Sequence, residues 1–174
     1  MAPIGHLGTV NVRPVRAGEW RELRELRLRA LKADPQAFGS TFEEEAADPE
    51  SEWIEWAEQS EAGERTRTFV ALGEGGWQGM AFAALLENGD AGLFGMWVAA
   101  QYRRKGVATA LVDAVVAWAR ERGSAGISLS VAEDNTAAAT LFGANGFVFT
   151  SARRTLPSRP ETAALAMRRP VGEL

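Results

Sequence analysis

From Thr9 to Val15 the residues read T-V-N-V-R-P-V, and this alternation of apolar and polar positions predicts a strand. Pro14 has no N–H to donate, which places the strand at a sheet edge or the proline at a strand end. Between Gly18 and Lys32 the apolar period changes to that of a helix, with Trp20, Leu23, Leu26 or Arg27, Ala30 and Leu31 on one face. Glu25 precedes Arg29 in the favourable i,i+4 order, and Asp34-Pro35 ends the helix. Pro49 to Gln59 predicts a short acidic helix with Trp53, Ile54 and Trp56 or Ala57 on its apolar side. Three apolar stretches follow, Arg67 to Leu72, Gln78 to Leu86 and Gly92 to Val98. Turn signals at Gly73-Glu74-Gly75-Gly76 and Asn88-Gly89-Asp90 separate them, so they predict a three-stranded antiparallel meander.

In the second half, Val107, Leu111, Val115 and Trp118 form the apolar face of a helix from about Arg104 to Arg122, which Gly123 stops. Ile127 to Val131 then predicts a strand, Thr136 to Asn145 a helix, Phe147 to Thr150 a strand, and Ala163 to Met167 a last strand beyond a Pro157 to Pro160 loop. The order β-α-α-β-β-β-α-β-α-β-β contains at least one strand-helix-strand crossover, which implies an α/β layered domain. One domain over residues 1–174 is expected, because 174 residues suit one core and no linker or repeat interrupts them.

Composition narrows the chemistry more than the fold. The chain has no cysteine, which excludes disulfides, thiolate metal sites and a Cys nucleophile, and its single histidine, His6, stands near the start. Ser-His-Asp catalysis and a His-ligated metal site are therefore not expected, and no metal is assigned. A net charge of -4 argues against a nucleic-acid partner. No apolar run is long enough to cross a membrane and no signal-peptide pattern opens the chain, so a cytoplasmic protein with no membrane partner is expected. Charge is unevenly spread: ten acidic residues and no Lys or Arg lie between Thr41 and Glu64, whereas Arg103, Arg104 and Lys105 are consecutive. The acidic run either steers a cationic substrate or forms a solvated face.

The basic triplet lies where a strand ending at Val98 gives way to a helix that opens at Gly106-Val107-Ala108-Thr109. Unpaired N–H groups at a helix N-terminus, the helix dipole and the absence of bulk at Gly106 and Ala108 together suit a diphosphate. The alternative is a solvated basic loop capping an ordinary helix. By contrast, the GEGGWQG stretch from Gly73 to Gly79 fits neither dinucleotide nor P-loop spacing and reads as a hairpin turn.

With Arg103, Gly106 and Ala108 at the spacing Arg-x-x-Gly-x-Ala, the junction resembles the cofactor signature of the GNAT superfamily of N-acetyltransferases. A second stretch, Asn135 to Phe147, resembles the same family's later helix through Asn135, Ala138, Leu141, Gly146 and Phe147. The resemblance runs from about Val10 to Arg169. It implies the GNAT fold: a single mixed, mostly antiparallel sheet of six to seven strands, about four helices, and a splay between two central parallel strands. It also implies acetyl-CoA as co-substrate. The segment Arg104, Lys105, Gly106, Val107, Ala108 and Thr109 would hold the diphosphate, and Trp97 and Val98 would pair with the pantetheine arm. Arg103, Asn135, Ala138 and Phe142 complete the expected cofactor contacts. The amide of Val98 would polarise the thioester carbonyl.

The general acid and base are not assigned by the resemblance. Many relatives carry a tyrosine that protonates the departing thiolate where this chain has Phe142; Tyr102 belongs to the diphosphate loop, which leaves solvent or Ser130. Glu133 is the candidate base, against a solvated carboxylate, and Asp134 is expected to help cap the next helix. Phe38, Phe42, Trp53 and Trp56 either line an acceptor pocket or fill the core. The expected acceptor is a small cationic amine such as a polyamine or antibiotic-like amine, with a peptide N-terminus or lysine as the second reading and a non-catalytic acyl-CoA sensor as the third. A homodimer through the apolar C-terminal strand is possible on this sequence.

Overall fold

The computed structural model describes residues 10–157 and 159–172. His6 and Thr9, the expected start of the first strand, lie outside the described residues. The elements are β1 (Asn11–Pro14), α1 (Trp20–Ala33), α2 (Phe42–Ala46), α3 (Glu50–Ala62), β2 (Thr66–Gly73), β3 (Gly76–Leu85), β4 (Ala91–Val98), α4 (Val107–Glu121), β5 (Gly126–Ala132), α5 (Thr136–Ala144), β6 (Val148–Leu156) and β7 (Arg159–Pro170). They build one seven-stranded sheet of order β1-β2-β3-β4-β5-β7-β6, in which β4 and β5 are parallel and every other pair is antiparallel. Among the described residues no helix is long and apolar enough to cross a membrane.

The two apolar faces of the sheet are covered separately. Leu111, Val112 and Val115 of α4 and Phe142 of α5 pack with Phe69, Ala81, Leu93, Leu129 and Met167. On the opposite face, Leu23, Leu26 and Leu31 of α1 and Trp53 and Ala57 of α3 pack with Val70, Met80 and Trp97. Full burial of each large aliphatic side chain contributes about 1.5–3 kcal/mol, which outweighs the weak intrinsic preference of a valine-rich segment such as α4 for the helix. The Ser60 hydroxyl fastens α3 to the sheet, accepting from the Thr68 N–H at 3.0 Å and lying 3.0 Å from the Val15 carbonyl.

Three departures from the sequence expectations have local causes. The five-residue helix α2 is too short to show a period, and a reciprocal cap between Thr41 and Glu44 forms its first turn. Helix α4 begins at Val107 rather than Arg104, because Arg104 (φ 62°) and Gly106 (φ 81°) both adopt left-handed backbone. The Pro157 to Pro160 loop contracts, since β6 continues to Leu156 and β7 starts at Arg159. Nearly all of β6 is exposed at the sheet edge, so burial imposes no alternation that a sequence pattern could reveal.

Strands β4 and β5 pair only at Ala91↔Ile127 and Gly92↔Ser128, and diverge beyond those positions. Next to this junction the buried carboxylate of Asp90 accepts from Arg168 Nε (2.8 Å), Arg168 Nη2 (2.9 Å) and Ser128 Oγ (2.8 Å). The two strands are thus tied to β7 at the closed end of the gap. Hydrogen bonding from Arg168 outweighs burial and holds the Asp90 carboxyl below the ordinary range.

Candidate active site

Ladder alternation shows which main-chain groups border the gap. The Ala99 N–H donates to the Gln78 carbonyl at 2.9 Å, and the preceding residue, Val98, stands opposite Gly79. Bonded and non-bonded pairs alternate in an antiparallel ladder, so the N–H and C=O of Val98 point away from β3, toward β5. Trp97, opposite Met80, returns its main-chain groups to β3, and its side chain is buried in the α1 core. Of these two expected pantetheine partners, Val98 offers its amide to the gap and Trp97 does not. On the other bank, the Glu133 N–H donates to the Ala163 carbonyl at 2.9 Å, and the same alternation turns the main chain of Ser130 and Ala132 toward β4.

A bulge interrupts β4 beside this edge. Met80 pairs with Trp97 and Phe82 with Phe94, so β4 carries one extra residue. Gly95 lies within it at φ 55°, a conformation open to glycine but strained for most residues.

At the open end, Arg104 and Gly106 turn the main chain into the first turn of α4, whose leading N–H groups have no intrahelical acceptor. A side chain built on Gly106 would meet nothing within 4 Å, so the backbone there is open to an approaching ligand. Arg104, Lys105, Gly106 and Thr109 are exposed, Ala108 is half-buried and Val107 is in the core. Arg104 and Lys105 enter none of the ion pairs formed among the described residues. Arg103 differs from them. Its Nε donates to the Val98 carbonyl at 2.9 Å and its Nη2 to Asp34 Oδ2 at 2.8 Å, and that same oxygen accepts from Trp97 Nε1 at 2.6 Å. The Arg103 guanidinium therefore ties the end of β4 to the segment after α1.

Asn135 caps α5 through Oδ1, which accepts from the Ala138 N–H at 3.1 Å. Ala138 is half-buried against the α4 core, and Phe142 is buried with its ring edge-on to Phe147 at 5.6 Å. The Tyr102 hydroxyl donates to the Glu74 carbonyl at 3.3 Å, back toward the β2–β3 turn. Glu133 directs its carboxylate to β7, accepting from the Ala163 N–H at 3.2 Å and from Arg153 Nη2 at 3.1 Å. Asp134 pairs with Arg159, whose hydrogen bonds hold its carboxyl below the ordinary range. Ser130 is exposed.

The aromatic candidates separate into wall and core. Trp56 lines a pocket of about 300 Å³ together with Arg27, Gln59, Phe82, Phe94 and Gly95, between α1, α3 and the bulge of β4. Trp53 and Phe38 are core residues, and Phe42 is half-buried at the edge of the same core. Arg27, Gln59, Phe82, Phe94 and Gly95 were not among the sequence candidates. Two faint signals existed: an arginine on the apolar face of a helix, and a glycine inside a strand, which often marks a bulge. Arg27 pairs with both carboxylate oxygens of Glu45, at 2.8 Å and 2.7 Å, and Ser40 also donates to Glu45. Burial pushes the Glu45 carboxyl up, but the bonds and charge of Arg27 and the Ser40 hydroxyl more than offset it, leaving it below the ordinary range. The other acids of the run, including Glu50, Glu52, Glu55, Glu58 and Glu61 on α3, are exposed apart from a half-buried Asp48.

A mixed sheet that splays between two parallel strands, with the open main chain of a helix start at its wide end, is the fold of acyl-CoA-type transferases. The profile described as the acetyltransferase (GNAT) family matches residues 20–147. The chain belongs to this family, a class of acetyl-CoA-dependent acetyltransferases. No curated protein matches it by sequence. Among solved structures, it is similar to a nourseothricin acetyltransferase, with 27% identity, TM-score 0.57 and coverage of 62% of this chain and 66% of that one. It is also similar to a putative streptothricin acetyltransferase from Bacillus anthracis str. Ames in complex with acetyl coenzyme A, with 23% identity, TM-score 0.57 and coverage of 61% and 62%. The chain thus spans just under two-thirds of the length of these two proteins. A fuller overlay, 96% of both chains at TM-score 0.76 and 14% identity, is with yncA from Salmonella typhimurium, a putative acetyltransferase with its cofactor acetyl-CoA.

Proposed function

We propose that this chain, as one domain, transfers the acetyl group of acetyl-CoA to the primary amine of a small cationic acceptor within a ternary complex. The observation that carries the reading is the gap between β4 and β5. One β4 edge bears both the outward-facing Val98 amide, near the anion-accepting turn, and Gly95, in the wall of the pocket.

The residues present fit acetyl-CoA, because the main chain at Gly106 is open and the two strand edges are unpaired beyond Gly92 and Ser128. Amides from Arg104 to Thr109 would hold the diphosphate, and Asn135, Ala138 and Phe142 would bound the arm from the α5 side. When bound, acetyl-CoA supplies an activated acetyl group. The Val98 N–H would donate to the thioester carbonyl oxygen and so stabilise the negative charge that develops there. With no cysteine in the chain, the acceptor amine attacks directly. An alkyl amine has a pKa of about 10.4 and must lose a proton first. Water carries this proton away; Glu133, the candidate base, accepts from Arg153 and the Ala163 N–H and acts on the amine only indirectly, through that water. The thiolate departs without a tyrosine at position 142, helped by the low pKa of thiols, about 8.5.

Pocket size and walls favour a small amine over a peptide, because about 300 Å³ bounded by Trp56, Phe82 and Phe94 takes one compact group. The likeness to acetyltransferases named for nourseothricin and streptothricin supports a small-molecule acceptor. The proposal includes a homodimer, not through the expected last strand, since β7 is paired on both sides by β5 and β6, but through the edge strand β6, where Val148 and Phe149 are exposed.

Thiol release from acetyl-CoA, followed against pools of polyamines, antibiotic amines and short peptides, tests the reading. Turnover confined to small amines supports it. Turnover confined to peptides transfers the activity to the second reading, and tight CoA binding with no turnover in any pool points to a sensor.

A further inference from the structure

The wall of the pocket carries an oriented ion pair. Arg27 commits Nε and Nη2 to Glu45, and Nη2 also lies 3.3 Å from Ser40 Oγ. Its remaining nitrogen, Nη1, stands 2.8 Å from where a Cβ on Gly95 would lie, so the bulge glycine makes the room that this nitrogen occupies. Arg27 lines the pocket and Glu45 does not. The positive end of the pair therefore faces the cavity and the negative end lies behind it.

The other walls are apolar. Trp56 spends its Nε1 on Thr68 Oγ1 at 2.8 Å and presents ring carbon, with Phe82 edge-on to it at 5.8 Å and Phe94 6.1 Å beyond Phe82. Phe94 is one of three large apolar side chains left exposed among the described residues, at 43%. A ligand that covers it recovers hydrophobic free energy the folded chain leaves unused.

On the basis of the transferase reading above, we infer that the pocket selects monoamines with an apolar or aromatic arm and a carboxylate or carbonyl oxygen that accepts from Arg27, and rejects polyamines. The arm covers Trp56, Phe82 and Phe94. The oxygen meets the unspent Nη1 edge. A second ammonium in the same place would meet the positive end of the Arg27–Glu45 pair, and like charges in a confined, partly dry site repel. This narrows the cationic acceptors considered above: the reacting amine is the acceptor's only positive charge inside the pocket.

Binding separates this inference from the transferase reading. With CoA present, calorimetry on the full chain would compare phenylalanine, phenethylamine and 1,5-diaminopentane. Phenylalanine is expected to bind tightest and phenethylamine about tenfold more weakly, the usual effect of losing one hydrogen bond to a charged group. The diamine is expected to bind weakest. Diamine affinity equal to that of phenylalanine, or no binding by any of the three, overturns the inference. Acetylation measured in parallel reports on the reaction alone: the predicted binding order without acetylation of any probe upholds the selectivity and overturns the transferase reading. Phe94→Ala, at a position exposed enough to tolerate truncation, should weaken both aromatic probes several-fold and leave the diamine unchanged. Arg27→Lys keeps a charge opposite Glu45 and should erase the preference for phenylalanine over phenethylamine; a preference that survives it overturns the role given to Arg27.

Discussion

The turn proposed for the diphosphate and the pocket proposed for the acceptor lie at two places along the same strand, β4, but are made of different material. The turn is main chain, contiguous from Arg103 to Thr109, and depends on two left-handed residues and one helix start. The pocket is side chain, gathered from α1, α3, β3 and β4 over positions 27 to 95. A backbone site tolerates many side chains provided its torsions are kept, whereas a side-chain site changes its ligand with each substitution. This explains how a family can share one co-substrate and vary its acceptor, and it predicts that mutations at the two places will act on different substrates.

The largest effect is expected from Gly106→Glu. It sets a carboxylate against the diphosphate and forces a side chain onto φ 81°, so acetyl-CoA affinity should fall by about 100-fold or more, while acceptor binding stays unchanged. Calorimetry with each ligand checks both halves, and a matching loss of acceptor affinity would break the comparison. Next, about tenfold, come Asp34→Asn and Arg103→Gln, which open the link between the segment after α1 and the end of β4. Each should lower kcat/KM for acetyl-CoA, and because they share one interaction the double variant should be little worse than either single. Additive losses would show that the two side chains act separately.

Asp90→Asn addresses the closed end that both places share. The folded-state pKa of Asp90 lies below its unfolded value of about 3.9, so its contribution is present above that value and is lost as pH falls through the folded one. The variant should therefore be less stable than the wild type by about 1–3 kcal/mol near pH 7, with the difference shrinking in acid as the pH falls through the folded-state value. Chemical denaturation at a series of pH values reads this directly. The smallest effect is expected from Glu133→Gln, at most about twofold in kcat with water as the proton route, since Arg153 and the Ala163 N–H already occupy the carboxylate. A fall of about 100-fold, the lower range for a positioned base, would instead make Glu133 the base itself.

What the sequence made legible follows the same division. Helical period located α1, α3 and α4, each of which has one face fixed by burial, and turn signals between apolar stretches located the meander, whose strands are buried on both faces. It missed the extent of β6, an exposed edge strand with nothing to enforce alternation. In the candidate site, the turn at Arg103 to Thr109 was visible because its residues adjoin in sequence. The direction of the Arg103 guanidinium was not, because it depends on Asp34, sixty-nine positions earlier. Of four aromatic candidates for the pocket only Trp56 lines it, since helical spacing places Trp53 and Trp56 on adjoining faces without showing which meets the cavity. Arg27 was legible only as an oddity on an apolar face, and its partner Glu45 belongs to a helix too short to predict.

The central claim is that acetyl-CoA lies along the gap between β4 and β5, with its diphosphate on the turn before α4. Amide hydrogen exchange with and without CoA tests it most directly. Protection of Val98 and of the amides from Arg104 to Thr109, with β1 and β2 unchanged, is the predicted result. Protection confined to β6 and β7, leaving the turn before α4 exchanging as freely as in the unliganded chain, would contradict it.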